Sequence, residues 1–250
     1  MEVSIELLAA LFFVAALAGW VDTLAGGGGL ITVPALLLTG MPPVMALGTN
    51  KLQGVVGTAT ASFYLLRSRA LVWRNIKALM LFALFGAALG TLLVQFIDAS
   101  ALMLIVPFVL GIIAVYFLVL TFVPGIEGRE RLSDTQFRRW LVPGIGFYDG
   151  MFGPGTGSFF SLAGSYFRGQ SVVEASVNAK ALNCATNLAS LAVFVVAGQL
   201  VWLVGAVMAL GQILGAWLGA RSLLKVNPTF LKLMIVTVCL LMLVRYVVYI

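Results

Sequence analysis

Apolar residues run in long blocks along this chain, and the blocks are interrupted twice in the same way. The first block, residues 5–24, stops at Gly26-Gly27-Gly28-Gly29 and resumes as a short piece to residue 40. Unbroken blocks follow at 50–66, 76–97 and 100–123. A polar stretch, 125–139, then carries Glu127, Arg129, Glu130, Arg131, Asp134, Arg138 and Arg139. Beyond it a second broken block, 140–152 and 157–167, is split by Gly153-Pro154-Gly155-Thr156-Gly157. The remaining blocks are 178–198, 201–220 and 229–249. Apolar blocks of about 20 residues predict helices that span a bilayer.

The second half repeats the first. A shift of 127 places Gly19 on Gly146, Asp22 on Asp149, Gly26 on Gly153 and Gly28 on Gly155. After a two-residue insertion the shift is 129, placing Lys51 on Lys180 and Leu71-Val72-Trp73 on Leu200-Val201-Trp202. Matched Leu and Ala mean little in so apolar a chain. Asp, Lys and Trp are rare here, and their common register carries the argument. The chain therefore reads as repeat 1 (1–124, broken at 26–29), a linker (125–139) and repeat 2 (140–250, broken at 153–157).

Composition fixes the class. Of 250 residues, 62% are hydrophobic and 10% are charged, and the mean hydropathy is +1.10. Soluble domains average roughly 45–50% apolar and about 25% charged, and one of this size could not hide so much apolar surface. The expected fold is an all-α polytopic membrane protein with no separate soluble domain. Cys184 and Cys239 stand alone in apolar runs and read as small core residues. With no histidine, His-based proton relays, haem ligation and the usual zinc sites are excluded. Glu2 and Glu6 flank the first apolar block without a basic residue, which argues against a cleavable signal peptide.

The net charge of +6 reflects topology rather than nucleic-acid binding. If each broken block dips into the membrane and returns, a repeat has a re-entrant pair plus three full crossings. Arg67, Arg69, Arg74, Lys77, the linker arginines, Arg168, Arg221 and Lys225 then share one face, as the positive-inside bias requires. Four crossings per repeat would instead put Arg168, Arg221 and Lys225 on the opposite side. An odd number of crossings inverts the second repeat, and inverted repeats with broken helices mark transporters. The linker is then cytoplasmic and both termini face the exterior.

Candidate chemistry gathers at the breaks. Asp22 and Asp149 each precede a glycine break, and Lys51 and Lys180 are placed beside those breaks at the start of a block. An ionisable group at membrane depth costs about 2.5–3.5 kcal/mol on insertion scales, so it faces a cavity or a partner. Consecutive glycines free backbone N–H groups that lipid cannot satisfy. The half-helices beginning at Gly27-Gly28-Gly29 and at Gly155-Thr156-Gly157-Ser158 point their positive ends into the same space. With Lys51 and Lys180 they form a candidate site for a small oxyanion, and Thr49, Asn50, Gln53 and Asn183 add neutral hydrogen bonds. Asn178, Thr186 and Asn187 offer further ones.

Blander roles compete with these. The lysines can snorkel to headgroups. The aspartates can cap freed N–H groups or pair with a lysine, and a proton- or cation-coupling role is the rival reading. Isolated Gly86, Gly90, Gly215 and Gly219 read as packing positions, and Trp73 and Trp202 as interfacial anchors. Ser/His/Asp catalysis cannot be assembled and no phosphate loop occurs, so no enzyme, catalytic residue, cofactor or metal is expected.

At these residues the chain resembles the sulfite exporter TauE/SafE family, also described as toluene sulfonate uptake permeases. The likeness lies in Gly19-Trp20-Val21-Asp22-Thr23-Leu24-Ala25-Gly26-Gly27-Gly28-Gly29 with Pro34, and in Gly48-Thr49-Asn50-Lys51. In the second half it lies in Gly146 to Phe159 and in Asn178-Ala179-Lys180. The resemblance implies a bacterial inner-membrane carrier of sulfite, organosulfonates or related anions. The expected function is secondary transport, as an exporter, of a small sulfur-containing anion by alternating access. Alternatives are a passive anion channel and a proton- or cation-coupled carrier of another organic anion. Expected partners are that anion, coupling protons and lipid, with no nucleic acid. A homodimer suits so small a carrier, though no sequence feature demonstrates one.

Overall fold

A computed structural model describes residues 4–98 and 130–227, with positions 101, 230 and 237 besides. The predicted blocks 100–123 and 229–249, most of the linker before Glu130, and Cys239 lie outside the described residues. Within them the chain is all-helical.

The first break falls where the glycines predict it. Helix α1 (Ile5–Ala25) ends at Gly26 and α2 (Gly29–Leu38) begins three residues later. Helix α3 (Pro43–Arg67) and α4 (Trp73–Val94) follow. A capped turn, Asp134–Gln136, and a π-helical segment, Phe137–Leu141, lead into α5 (Val142–Met151). The π segment sits just before Pro143, which has no N–H for the carbonyl of Arg139. After the second break come α6 (Thr156–Arg168), α7 (Val172–Val196) and α8 (Trp202–Leu223).

Two helix starts correct the sequence reading. Helix α3 begins at Pro43 rather than near residue 50, because proline suits a first turn whose N–H groups have no intrahelical partner. Helix α7 begins at Val172 rather than 178, where Ser171 accepts from the Glu174 N–H at 3.2 Å. Lys51 and Lys180 therefore stand well inside long helices, not at their membrane ends.

Four described helices, α1, α4, α7 and α8, are long and apolar enough to cross a membrane. Helix α1 is among them although the sequence reading sends it into the bilayer and back. Its partner is α8, while α5 lies on α4 in the same manner. Glycines allow this contact: Gly215 meets the Ala16 carbonyl and Gly86 meets the Pro143 carbonyl, so no side chain fits at either. Ala16 and Pro143 are related by the shift of 127, and Gly86 and Gly215 by 129. A contact in the first half thus recurs in the second with the partners exchanged, through the close small-residue packing typical of membrane helices.

Along α3 the surroundings change from apolar to polar and back. Ala46 and Leu47 belong to apolar clusters with Leu36, Met208, Phe152 and Phe194. Ala61 and Leu65 belong to another with Leu71, Phe137, Val142 and Leu223. Between them Thr49, Asn50, Lys51, Gln53 and Thr58 are all buried. Phe13, Phe63, Leu81 and Phe85 are exposed, so a buried polar layer lies between apolar clusters inside a molecule with an apolar exterior, unlike a soluble domain. The chain is a multi-pass membrane protein. Trp73 and Trp202 stand exposed as the first residues of α4 and α8.

Candidate functional site

Each break is built around the aspartate just before it. At the first, Gly26 turns left-handed (φ 78°) and its N–H caps α1 on the Asp22 carbonyl at 2.6 Å. The Asp22 carboxylate then receives the Gly28 N–H at 3.0 Å, so it holds one of the amides freed at the start of α2. At the second, Gly153 and Gly155 both take positive φ. Asp149 accepts from the Thr156 hydroxyl at 2.6 Å, and Tyr148 clasps the turn through the Pro154 carbonyl at 2.6 Å. The tips touch each other: Ser158 Oγ donates to the Ala25 carbonyl, and Gly26 packs directly on Gly157.

The lysines cross between the halves. Lys51 of α3 lies 2.9 Å from the Asp149 carboxylate and donates to the Asp149 carbonyl at 2.7 Å. Lys180 of α7 lies 3.6 Å from the Asp22 carboxylate and donates to the Asp22 carbonyl. Each ammonium therefore meets both an acid and the negative end of a helix. Both lysines are buried to 1% exposure. Neither reaches outward to a headgroup, and neither lines open space.

A small polar hollow opens beside the two breaks. The breaks contribute Gly26, Gly28, Gly29, Gly153, Gly155 and Thr156 to its wall, with Asp22 and Thr32. Helix α3 contributes Asn50, Gln53, Gly54 and Thr58, and α7 adds Asn183 and Asn187. Gln212 of α8 closes the wall. Three helices are stitched by one run of bonds: Thr32 donates to Asn50 Oδ1 at 2.6 Å and Gln53 to the same oxygen at 2.8 Å. Gln212 in turn donates to Gln53 Oε1 at 2.9 Å.

The structure thus gathers Gly28, Gly29, Asn50, Gln53, Gly155, Thr156 and Asn183 at one hollow and sets other candidates aside. Gly27 is absent from its wall, and Gly157 is spent on the contact with Gly26. Ser158 is bonded to Ala25, and Thr49 accepts the Val201 N–H at 2.9 Å, capping the start of α8. Thr32, Gly54, Thr58 and Gln212 stand on the wall beyond the predicted residues. Spacing signals them in part, since Asn50, Gln53, Gly54 and Thr58 recur at three to four residues along one helix face. Gln212 carried no such signal, as it is the lone amide of α8. Among the described residues no group of His, Cys, Asp or Glu could hold a metal ion.

Comparison with known proteins places this geometry. Residues 11–246 match the family described as Sulfite exporter TauE/SafE. A relative from Haemophilus influenzae, named "Probable membrane transporter protein", is 46% identical over 247 residues, covering 99% of this chain and 97% of its own. One from Sinorhizobium sp, "Probable membrane transporter protein ORF9", is 39% identical over 244 residues, covering 98% and 94%. "Probable membrane transporter protein YfcA" of Escherichia coli K12 is 40% identical over 238 residues, covering 94% and 88%. No solved structure gives a significant match. This chain belongs to the TauE/SafE family of membrane transporters.

Proposed function

We propose that the chain is a secondary transporter of a small sulfur-containing anion such as sulfite or an organosulfonate, bound in the hollow between the two breaks. The carrying observation is that this hollow is lined by both interrupted turns at once, with two half-helix N-termini beside neutral amides and hydroxyls. The family description names sulfite, and both lines of argument meet on an oxyanion.

The mechanism proposed is alternating access between two inverted repeats that rock about the hollow, each with a re-entrant helix pair. Support comes from the exchanged contacts of α1 on α8 and α5 on α4, and from the reciprocal lysine bridges. Orientation rests on charge. The ends that pack together around Leu65, Leu71, Phe137, Val142 and Leu223 carry Arg67, Arg69, Arg74, Arg138 and Arg221. By the positive-inside bias this end is cytoplasmic in a bacterial inner membrane, with both termini exterior.

Asp22 favours a second element, proton coupling, because its carboxylate is the charged group on the hollow's wall. If protons are coupled there, Asp22→Asn transport loses its response to a pH gradient while Asp149→Asn keeps it.

The test of the main reading is direct binding of sulfite, thiosulfate, sulfoacetate and sulfate to purified protein. Saturable binding of at least one, weakened in Asn183→Leu, is the expected result. Binding of none would overturn the anion reading, and Na⁺ uptake by reconstituted liposomes would replace it with a cation carrier.

A further inference from the structure

The proposed transport of an oxyanion leaves open how much charge the hollow tolerates, and the arrangement of its charged groups answers that. Asp22 is the charged residue on the wall. Around it stand Lys180 of α7 at 3.6 Å and, behind, the pair formed by Lys51 of α3 and Asp149 of α5. The lining residues of α2, α6 and α8 are uncharged. Both ammoniums are already engaged, each by a carboxylate and a carbonyl. No free cation faces the hollow among the described residues. What remains to oppose a bound negative charge is the pair of half-helix N-termini, each equivalent to about half a positive charge.

The second observation is a polar side chain with nothing to bond. Asn187 is 6% exposed, faces the hollow, and makes no hydrogen bond to protein among the described residues. Its amide opens onto the hollow, where its two N–H donors can meet a ligand oxygen. Asn183, 5% exposed and one helical turn away, makes only a long side-chain contact of 3.4 Å with Thr186. On the facing side, the Asp22 carboxylate can accept one more hydrogen bond beyond that of Gly28.

From this juxtaposition we infer that the hollow selects a singly charged oxyanion that still carries its own O–H, of the hydrogensulfite type, and rejects dianions. The O–H donates to Asp22, and the anionic oxygens receive Asn187 beside the two half-helix N-termini. A second negative charge would meet the Asp22 carboxylate with nothing left to neutralise it. No proton leaves the ligand in this binding step. The inference rests on the anion reading above.

The experiment measures affinity of the wild-type protein in detergent for sulfite, at pH values below and above its second ionisation. Sulfate serves as a fixed dianion. Methanesulfonate serves as a fixed monoanion without an O–H, and its own profile over the same range isolates any titration of the protein. The expected result is that sulfite affinity follows the hydrogensulfite fraction, with sulfate at least about tenfold weaker and methanesulfonate several-fold weaker. Asp22→Asn, checked for monodisperse elution, narrows the sulfate gap, and Asn187→Leu weakens every ion. Sulfate or fully ionised sulfite binding as tightly as hydrogensulfite overturns the inference while leaving the anion reading intact. So does unchanged affinity in Asn187→Leu. Failure of all three ions to bind overturns the anion reading itself, and this inference with it.

Discussion

At the second break Asp149 is fully buried, and its carboxylate lies 2.9 Å from Lys51. At the first, Asp22 keeps 18% of its side chain exposed and stands 3.6 Å from Lys180. The backbone plan is shared, for each acid precedes a glycine turn and each lysine comes from the opposite half. The side chains around them are not shared. Asn50 and Gln53 of α3 fall on Ala179 and Leu182 of α7, while Asn183 and Asn187 of α7 fall on Gly54 and Thr58 of α3. Gln212 of α8 falls on Ala83 of α4. Two similar break geometries thus serve two tasks. One copy braces the fold with a sealed ion pair, and the other leaves its acid open to the hollow.

If that division is right, breaking the sealed pair costs most. Lys51→Met leaves Asp149 buried and uncompensated, and a loss of about 3–5 kcal/mol is expected, read as a fall in detergent melting temperature or in folded yield. Adding Asp149→Asn to it restores much of that stability, because the uncompensated charge is gone. Next comes the contact between the tips. A Cβ at Gly26 would strike the backbone of Gly157 and Ser158 and would need a left-handed residue besides. Gly26→Ala is therefore expected to cost about 3 kcal/mol, from overpacking plus strain. Gly155→Ala has room around it, with Phe159 at 3.9 Å, and carries the strain alone, about 1–2 kcal/mol. Equal losses at the two glycines would contradict the account of the tips.

Smaller effects sharpen the contrast. Lys180→Met is expected to cost about 1–2 kcal/mol, less than Lys51→Met, since Asp22 keeps contact with the hollow and the Gly28 amide. The same thermal melts check this, and a cost equal to that of Lys51→Met would erase the distinction between the pairs. Smallest is Gln212→Leu, which removes one bond to Gln53. About 1 kcal/mol of stability is expected to go with it, along with a few-fold loss of anion affinity by calorimetry.

Much of this was legible in the sequence. Runs of glycine before a half-length apolar block locate both breaks because consecutive helix breakers are rare inside membrane segments. The paired acids and lysines were legible because Asp22, Asp149, Lys51 and Lys180 stand out against an apolar background. The helix starts at Pro43 and Val172 are not marked by the apolar runs, which show where a helix meets lipid, whereas caps mark where it begins. Pro42-Pro43 and Ser171 with Glu174 lie outside those runs. Which lysine meets which acid was not legible, since Lys51 and Asp149 are 98 residues apart and spacing favours neither acid. For the same reason spacing alone makes the lysines look like ligands. Each is instead held by an aspartate and by a carbonyl at the end of α1 or α5, off the wall of the hollow.

The central claim is that a sulfur oxyanion moves through the hollow between the breaks, and counterflow in proteoliposomes tests it most directly. Vesicles preloaded with unlabelled sulfite, carrying either the wild-type chain or Asn187→Leu, are diluted into labelled sulfite. The account predicts transient, saturable accumulation of label in the wild type and none above background in Asn187→Leu. Entry that rises linearly with concentration, without an overshoot, in the wild type would contradict it.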